Sequence, residues 1–302
     1  VAAGRGAGRV SGYGTAAGYV GSIFALLVLT LFVARGEEAR ALLGPLGWWL
    51  EPGETGSNAF VPTAVLYLLF SLPAFFLVPD PRVREPRPGG LGRAYRDVIS
   101  TVRSIRRYRG MAPFILATLL YTDAANTAIA NMALYGREVF GMQSQDIRNL
   151  LLFSTLFAVA GSFGCGLLSD RWGPRRALMA VLVLWLAAIL LAAGALSAWM
   201  LYVAGPLVGA ALGGTWTAGR PMLVALSPPE KIGEFFGLYS FAGKVSAVAG
   251  PALTALLLFW LEELGTLAYR LSVGSLALVM VLAMAVLARV PDVRPAGVVD
   301  RY

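Results

Sequence analysis

The chain has 302 residues, 57% of them apolar and only 14% charged, and its mean hydropathy is +0.68. An ordinary soluble domain carries about 25% charged residues, so this composition points to an integral membrane protein. The single cysteine, Cys165, excludes a disulfide-stapled domain; the lack of histidine excludes Ser-His triads, His metal sites and His proton switches. The net charge of +8 sits between apolar runs rather than on a soluble face, which points away from nucleic acid and toward loop charge that orients membrane spans.

A helix that crosses a bilayer needs about 20 apolar residues. Eight runs meet that length, near 12–34, 58–78, 111–135, 148–169, 176–197, 199–222, 235–259 and 267–289. The runs are too long for barrel strands and show no alternation. The predicted fold class is all-α, a polytopic transmembrane helix bundle of about eight spans. The first run is rich in glycine, with Gly12, Gly14, Gly18 and Gly21, and suits close helix packing in lipid. The loop over 35–57 contains Trp48 and Trp49, which are expected at the headgroup level. The stretch 79–110 opens with a Pro- and Gly-rich linker. It continues as an amphipathic pattern in which Leu91, Ala94, Tyr95, Val98, Ile99, Val102 and Ile105 recur at three- and four-residue steps. That pattern reads as a surface helix, either touching anionic lipid or connecting two bundles. The predicted organisation is therefore 1–78 as the end of one bundle, 79–110 as a basic linker, 111–290 as a six-helix bundle and 291–302 as a tail.

With eight spans both termini share a side. That side carries 19 basic residues and the other side five. This split places both termini in the cytoplasm of a membrane protein, expected in a bacterial inner membrane.

The turn after the fourth run reads Gly166-Leu-Leu-Ser-Asp170-Arg171-Trp-Gly173-Pro-Arg175-Arg176. Asp170 is an anion able to approach the positive N-terminus of a neighbouring helix. Arg171, Arg175 and Arg176 can pair with groups at facing helix ends. Contacts of this kind can hold and release two bundles, so the turn is read as a gating latch, against the simpler alternative of a solvated basic turn.

Asp123 lies near the middle of its run, where a charged side chain costs about 2.5–3.5 kcal/mol on insertion scales. Such a residue faces a bundle interior or a wet cavity. Asn126 and Thr127 share its helix face, and Tyr121 and Asn131 extend the polar stripe. Asp123 can take up a proton, bind an amine, pair with a cation or clamp two helices. Lys244, followed by Ser246, is the only basic residue well inside a run. It can bind a carboxylate, pair with Asp123, or extend its amine to the membrane surface. Arg220 stands nearer the cytoplasmic edge, as a gate, a partner of Glu230 or Glu234, or a boundary arginine.

The turn at 166–176 and the basic stretch at 79–110 resemble those of major facilitator superfamily transporters, in which a linker joins two six-helix halves. On that resemblance the eight runs match the family's fifth to twelfth helices, a partial major facilitator fold lacking the first four. A narrower resemblance is to the autophagy-related vacuolar effluxer-like branch, whose best-known members export amino acids. It rests on Arg9-Val-Ser-Gly12-Tyr-Gly14 with Gly18-Tyr19-Val-Gly21, on Tyr121-Thr-Asp123-Ala-Ala-Asn126-Thr127, and on Gly213-Gly214 with Arg220. It also rests on Pro228-Pro229, Phe235-Phe236-Gly237-Leu-Tyr239, Gly243-Lys244-Val-Ser246 and Gly250-Pro251. Trp216 and Gly219 stand where that pattern has Gln and Ser.

The resemblance implies secondary active transport of a small solute by alternating access, with amino acids as the expected class and lipid, solute and protons as partners. No cofactor and no metal is expected. The energy source is an ion gradient or the solute's own gradient, with proton coupling through Asp123, the single midplane carboxylate, as a hypothesis. The rival reading is a non-transporting scaffold or a fragment of a transporter, because the chain opens partway through the family pattern; either a truncated sequence or an alternative start explains that. An intramembrane enzyme is disfavoured, since one midplane carboxylate leaves little catalytic machinery.

Overall fold

The computed structural model describes residues 6–51, 56–77 and 105–293. The amphipathic stretch and linker predicted over 79–104, and the tail beyond 293, lie outside the described residues. The described residues are helical with short connections and no strand. Nine α-helices follow in order: α1 (Ala7–Ala34), α2 (Gly36–Leu43), α3 (Phe60–Leu77), α4 (Met111–Phe140), α5 (Ser144–Trp172), α6 (Pro174–Ala193), α7 (Ala198–Leu226), α8 (Ile232–Trp260) and α9 (Thr266–Leu287). All but the short α2 coincide with predicted spans, and most run a few residues beyond them.

Seven of these helices are long and apolar enough to cross a membrane. The difference from the eight expected is α4. It is long enough at 30 residues, but its interior carries Thr118, Tyr121, Thr122, Asp123, Asn126, Thr127 and Asn131, which lowers its mean apolarity. Its polar groups are tolerated because they face other helices, with Thr118, Tyr121, Thr122 and Thr127 buried.

The helix ends follow local chemistry. Gly141, at φ 63°, closes α4 through hydrogen bonds from its backbone to Arg137 and Gly136. Gln143 and Asp146 form a reciprocal capping box at the start of α5. Gly173, at φ 90°, ends α5, and Pro174 begins α6 in the next position.

The contacts divide the chain into two compact units. One joins the first turns of α1, through Tyr19, to α4–α9; the other holds the rest of α1 with α2 and α3. In the second unit, Phe24 meets Phe70 edge-on and Phe32 lies against Trp49, while Trp48 is exposed.

In the larger unit α5 packs chiefly on α7, α4 on both α8 and α9, and α6 on α7 and α9. The α5–α7 seam is backbone against backbone. A Cβ added at Gly209 would collide with the Ser154 carbonyl, and one at Gly213 with the Ala158 carbonyl. Small residues permit this approach, which brings helices together in lipid. The core between the helices is filled by Phe114, Tyr121, Leu178, Leu182, Trp185, Met222 and Met280. The Trp185 indole N–H donates to Thr215 Oγ1 at 2.9 Å, satisfying its one polar atom.

Candidate solute and ion pathway

The helices α4 and α8 run side by side in the same direction. Contacts climb in register along both: Tyr108 on Phe235, Phe114 stacked on Tyr239, Thr122 and Asn126 on Ser246, Asp123 and Thr127 on Gly250. The α8 residues of this face, Phe235, Tyr239, Ala242, Ser246 and Gly250, recur at three-, four- and seven-residue steps.

Ser246 is the hub of the polar stripe. Its hydroxyl lies 2.9 Å from Thr122 Oγ1, receives the Asn126 amide at 3.5 Å and donates to the Gly243 carbonyl at 3.0 Å. One turn on, α8 presents the bare Cα of Gly250. A Cβ there would collide with Thr127 Oγ1 and lie 2.8 Å from Asp123 Oδ1. Asp123 and Asn126 are half-buried, so this cluster is open along one edge. Asn131 turns its amide back to the Thr127 carbonyl at 3.0 Å and lines a small, otherwise apolar cavity with Met132 and Tyr135.

Lys244 is placed elsewhere. It is exposed, and no ion pair joins it to Asp123 among the described residues. The reason is angular: Lys244 precedes Ser246 by two residues, about 200° around the helix, so it leaves α8 on the side away from α4. Of the alternatives open for Lys244, the pair with Asp123 is not formed among the described residues.

Nearer the end of the bundle that carries the 166–176 turn, Tyr121 and Tyr239 bring their hydroxyls together at Gly219. Tyr121 Oη receives the Thr118 hydroxyl at 3.3 Å, whereas the buried Tyr239 Oη has no hydrogen-bond partner. A Cβ at Gly219 would meet the Tyr239 hydroxyl, so a side chain there requires that phenol to shift. Arg220 is exposed and within electrostatic reach of Tyr19 and Tyr239. Glu234 is paired at 3.5 Å with Lys231.

In the 166–176 turn, Asp170 sits at the N-terminus of α1. Its carboxylate accepts the Gly8 N–H at 2.9 Å, the Arg9 N–H at 3.3 Å and Arg9 Nε at 2.9 Å. The contact is close because Gly8 and Gly12 of α1 pack against Ser162 and Gly166 of α5; a Cβ at Gly12 would lie 2.7 Å from the Ser162 carbonyl. Ser11 adds a hydrogen bond to the Thr217 carbonyl of α7 at 2.9 Å. Arg175 reaches the last carbonyls of α9, Leu287 at 3.4 Å and Ala288 at 2.6 Å, and Arg176 pairs with Asp292 at 3.0 Å. Arg171 is exposed. Gly173 supplies the positive φ of the turn.

The residue list read from the sequence lacked Thr122, Tyr239, Gly250 and the Gly8–Arg9 segment. Their signal was spacing: Thr122 precedes Asn126 by one turn, and Tyr239, Ser246 and Gly250 share a face.

A family model described as "Vacuole effluxer Atg22 like" matches residues 5–295. The chain belongs to this family. Within curated proteins it is 25% identical over 285 residues to the uncharacterized MFS-type transporter YxiO of Bacillus subtilis, covering 94% of this chain and 63% of that protein. It is 26% identical over 284 residues to Autophagy-related protein 22 of Yarrowia lipolytica, covering 82% of this chain and 45% of the relative. Among solved structures it is similar to the E. coli fucose:proton symporter FucP, with a TM-score of 0.58, 16% identity, and coverage of 87% of this chain and 63% of the other. That likeness shows the fold, a partial major facilitator fold. This vacuole effluxer-like chain thus spans less than two thirds of these relatives, and it is an integral membrane protein.

Proposed function

We propose that this protein serves secondary active transport of a small solute by alternating access, in a bacterial inner membrane with both termini cytoplasmic. The observation that carries the reading is the polar stripe between α4 and α8. Thr122, Asp123, Asn126 and Thr127 of α4 cluster with Ser246 of α8 among otherwise apolar helices, and the stripe is open at Asp123. Charge at this depth is costly unless it serves a path for solute or ion. The transporter relatives supply the activity class.

Amino acids are the solute class proposed. Asp123 offers an anion for the amine, and Arg220 beside Tyr239 offers a cation for the carboxylate. Tyr239 and Gly250 are eleven residues apart, about 16 Å along the helix axis. One α-amino acid cannot bridge that distance, so the two charges act as successive stations. The Asp170 clamp on α1 works as the gate of the proposed cycle: separating α1 from α5 breaks three charge-assisted hydrogen bonds at once. Asp123 is the group through which a proton or another cation couples to the solute.

Uptake of radiolabelled amino acids and neutral sugars into proteoliposomes, under imposed ion gradients, tests this reading. Gradient-driven uptake of amino acids that falls at least about tenfold in Asp123→Asn is expected, the loss of one essential charge interaction being worth 1.4 kcal/mol or more. Equal uptake of sugars overturns the solute class. Full uptake in Asp123→Asn overturns the role of Asp123. Absence of any gradient-driven flux returns the protein to the scaffold reading.

A further inference from the structure

The turn at 166–176 is held on two sides. On one side Asp170 takes α1: Oδ1 accepts the Gly8 N–H, and Oδ2 accepts the Arg9 N–H and Arg9 Nε. On the other side Arg175 and Arg176 reach the segment that follows α9. That segment is fixed in place. The amides of Arg289 and Val290 bond the Val286 and Leu287 carbonyls at 3.1 and 3.0 Å, and Val290 is buried in the core. Pro291 then lies so close to Gly110, at the start of α4, that a Cβ there would collide with its ring. Residues 288–293 thus form a strap across this end of the bundle, from α9 past α4 to the turn.

The strap ends on a charge. Asp292 pairs with Arg176 Nε at 3.0 Å, and its Oδ1 lies 3.5 Å from where a Cβ of Gly173 would stand. The Arg176 side chain is 62% exposed, and a pair so exposed adds little stability. What it does is direct a guanidinium. Without Asp292, the next carboxylate of this turn is Asp170, six residues before Arg176. Asp170 already takes three donors, and a carboxylate offers about four acceptor positions. A bidentate arginine needs two of them, so Arg176 on Asp170 would displace a donor of α1.

We propose that the strap is a switch for the gate: Asp292 holds Arg176 away from Asp170, and when the strap lets go, Arg176 turns to Asp170 and α1 is released. Asp292 is a positioning residue that acts on the clamp only through Arg176. The proposal rests on the reading of the Asp170 clamp as the gate of the transport cycle.

Hydrogen exchange of the purified chain in detergent tests this. Gly8 and Arg9 stand in the first turn of α1, where no helical carbonyl is available, so their amides report the clamp directly. Asp292→Asn is expected to speed exchange of both by about fivefold, the upper range for one exposed ion pair. Arg176→Gln, alone or combined with Asp292→Asn, is expected to keep the wild-type rate, because the competing guanidinium is gone. If either of these variants exchanges as fast as Asp292→Asn, the ion pair merely braces the turn and the proposal falls. It falls equally if Asp292→Asn leaves exchange unchanged. Arg171→Gln in the Asp292→Asn background leaves exchange fast; restoration there would show an effect of bulk charge and overturn the assignment to Arg176. Faster exchange of the Ala211 amide, in the middle of α7, would show general loosening and also overturn it. Exchange needs no flux, so the two readings fail separately. The expected exchange pattern without solute uptake upholds the switch and sinks the transport reading; solute uptake with unchanged exchange does the reverse.

Discussion

At Gly219 the backbone of α7 meets two phenols, and the position tests how much room that contact leaves. A serine Cβ would collide with the Tyr239 hydroxyl and sit 3.2 Å from that of Tyr121. Overpacking of this kind costs about 1–3 kcal/mol. Gly219→Ser is therefore expected to lower Tm in detergent, and Tyr239→Phe, which removes the colliding oxygen, to restore much of the loss in the double variant. Additive effects in that cycle would show that the contact is not felt. From the sequence alone Gly219 was only a departure from a family pattern, because the phenols it meets come from two other helices. Asp123 was legible, since a carboxylate in mid-span needs a reason. The contact of Thr127 with Gly250 was not, since it depends on how α8 is rotated.

The spans could be read at the scale of the element because apolarity over twenty residues is a strong signal. Rotation about each helix axis is a weaker one. Lys244 and Ser246 look adjacent in the chain, but the 200° between them puts one on the α4 contact and the other on the opposite face. The pair α6 and α9 shows another relation that no local pattern announces. Arg175 at the start of α6 caps the carbonyl end of α9, and Arg270 at the start of α9 caps that of α6, reaching the Ala193 carbonyl at 3.3 Å and that of Ala195 at 2.5 Å. Each guanidinium meets the negative end of a helix dipole, an arrangement worth about 0.3–1 kcal/mol per charge, and up to about 2 kcal/mol when partly buried. Arg270 also lies over the Phe140 ring at 5.5 Å. Arg270→Ala is expected to speed hydrogen exchange of the Gly194 and Ala195 amides while leaving the α5–α7 seam unchanged. If exchange rises throughout the bundle, the clamp is not local.

For the whole molecule, the uneven distribution of basic residues predicts a single orientation. Arg171→Cys is expected to react with an impermeant maleimide from the cytoplasmic side only, and Gln145→Cys, exposed at the opposite end of α5, only from outside. The native Cys165 is buried and contributes little background. Labelling of both from one side would overturn the predicted orientation. The larger unit is organised around the α5–α7 seam, where carbonyl oxygens occupy the space that side chains would take. In a bilayer this closeness gains little from driving water off oil, because lipid tails are as apolar as the helices themselves. Its strength is dispersion between touching main chains, and that attraction does not fade on cooling as burial of apolar groups from water does. The two central helices are thus held by a force with no cold weakness of its own, so a chilled membrane would slow the protein's movements before it loosened this joint.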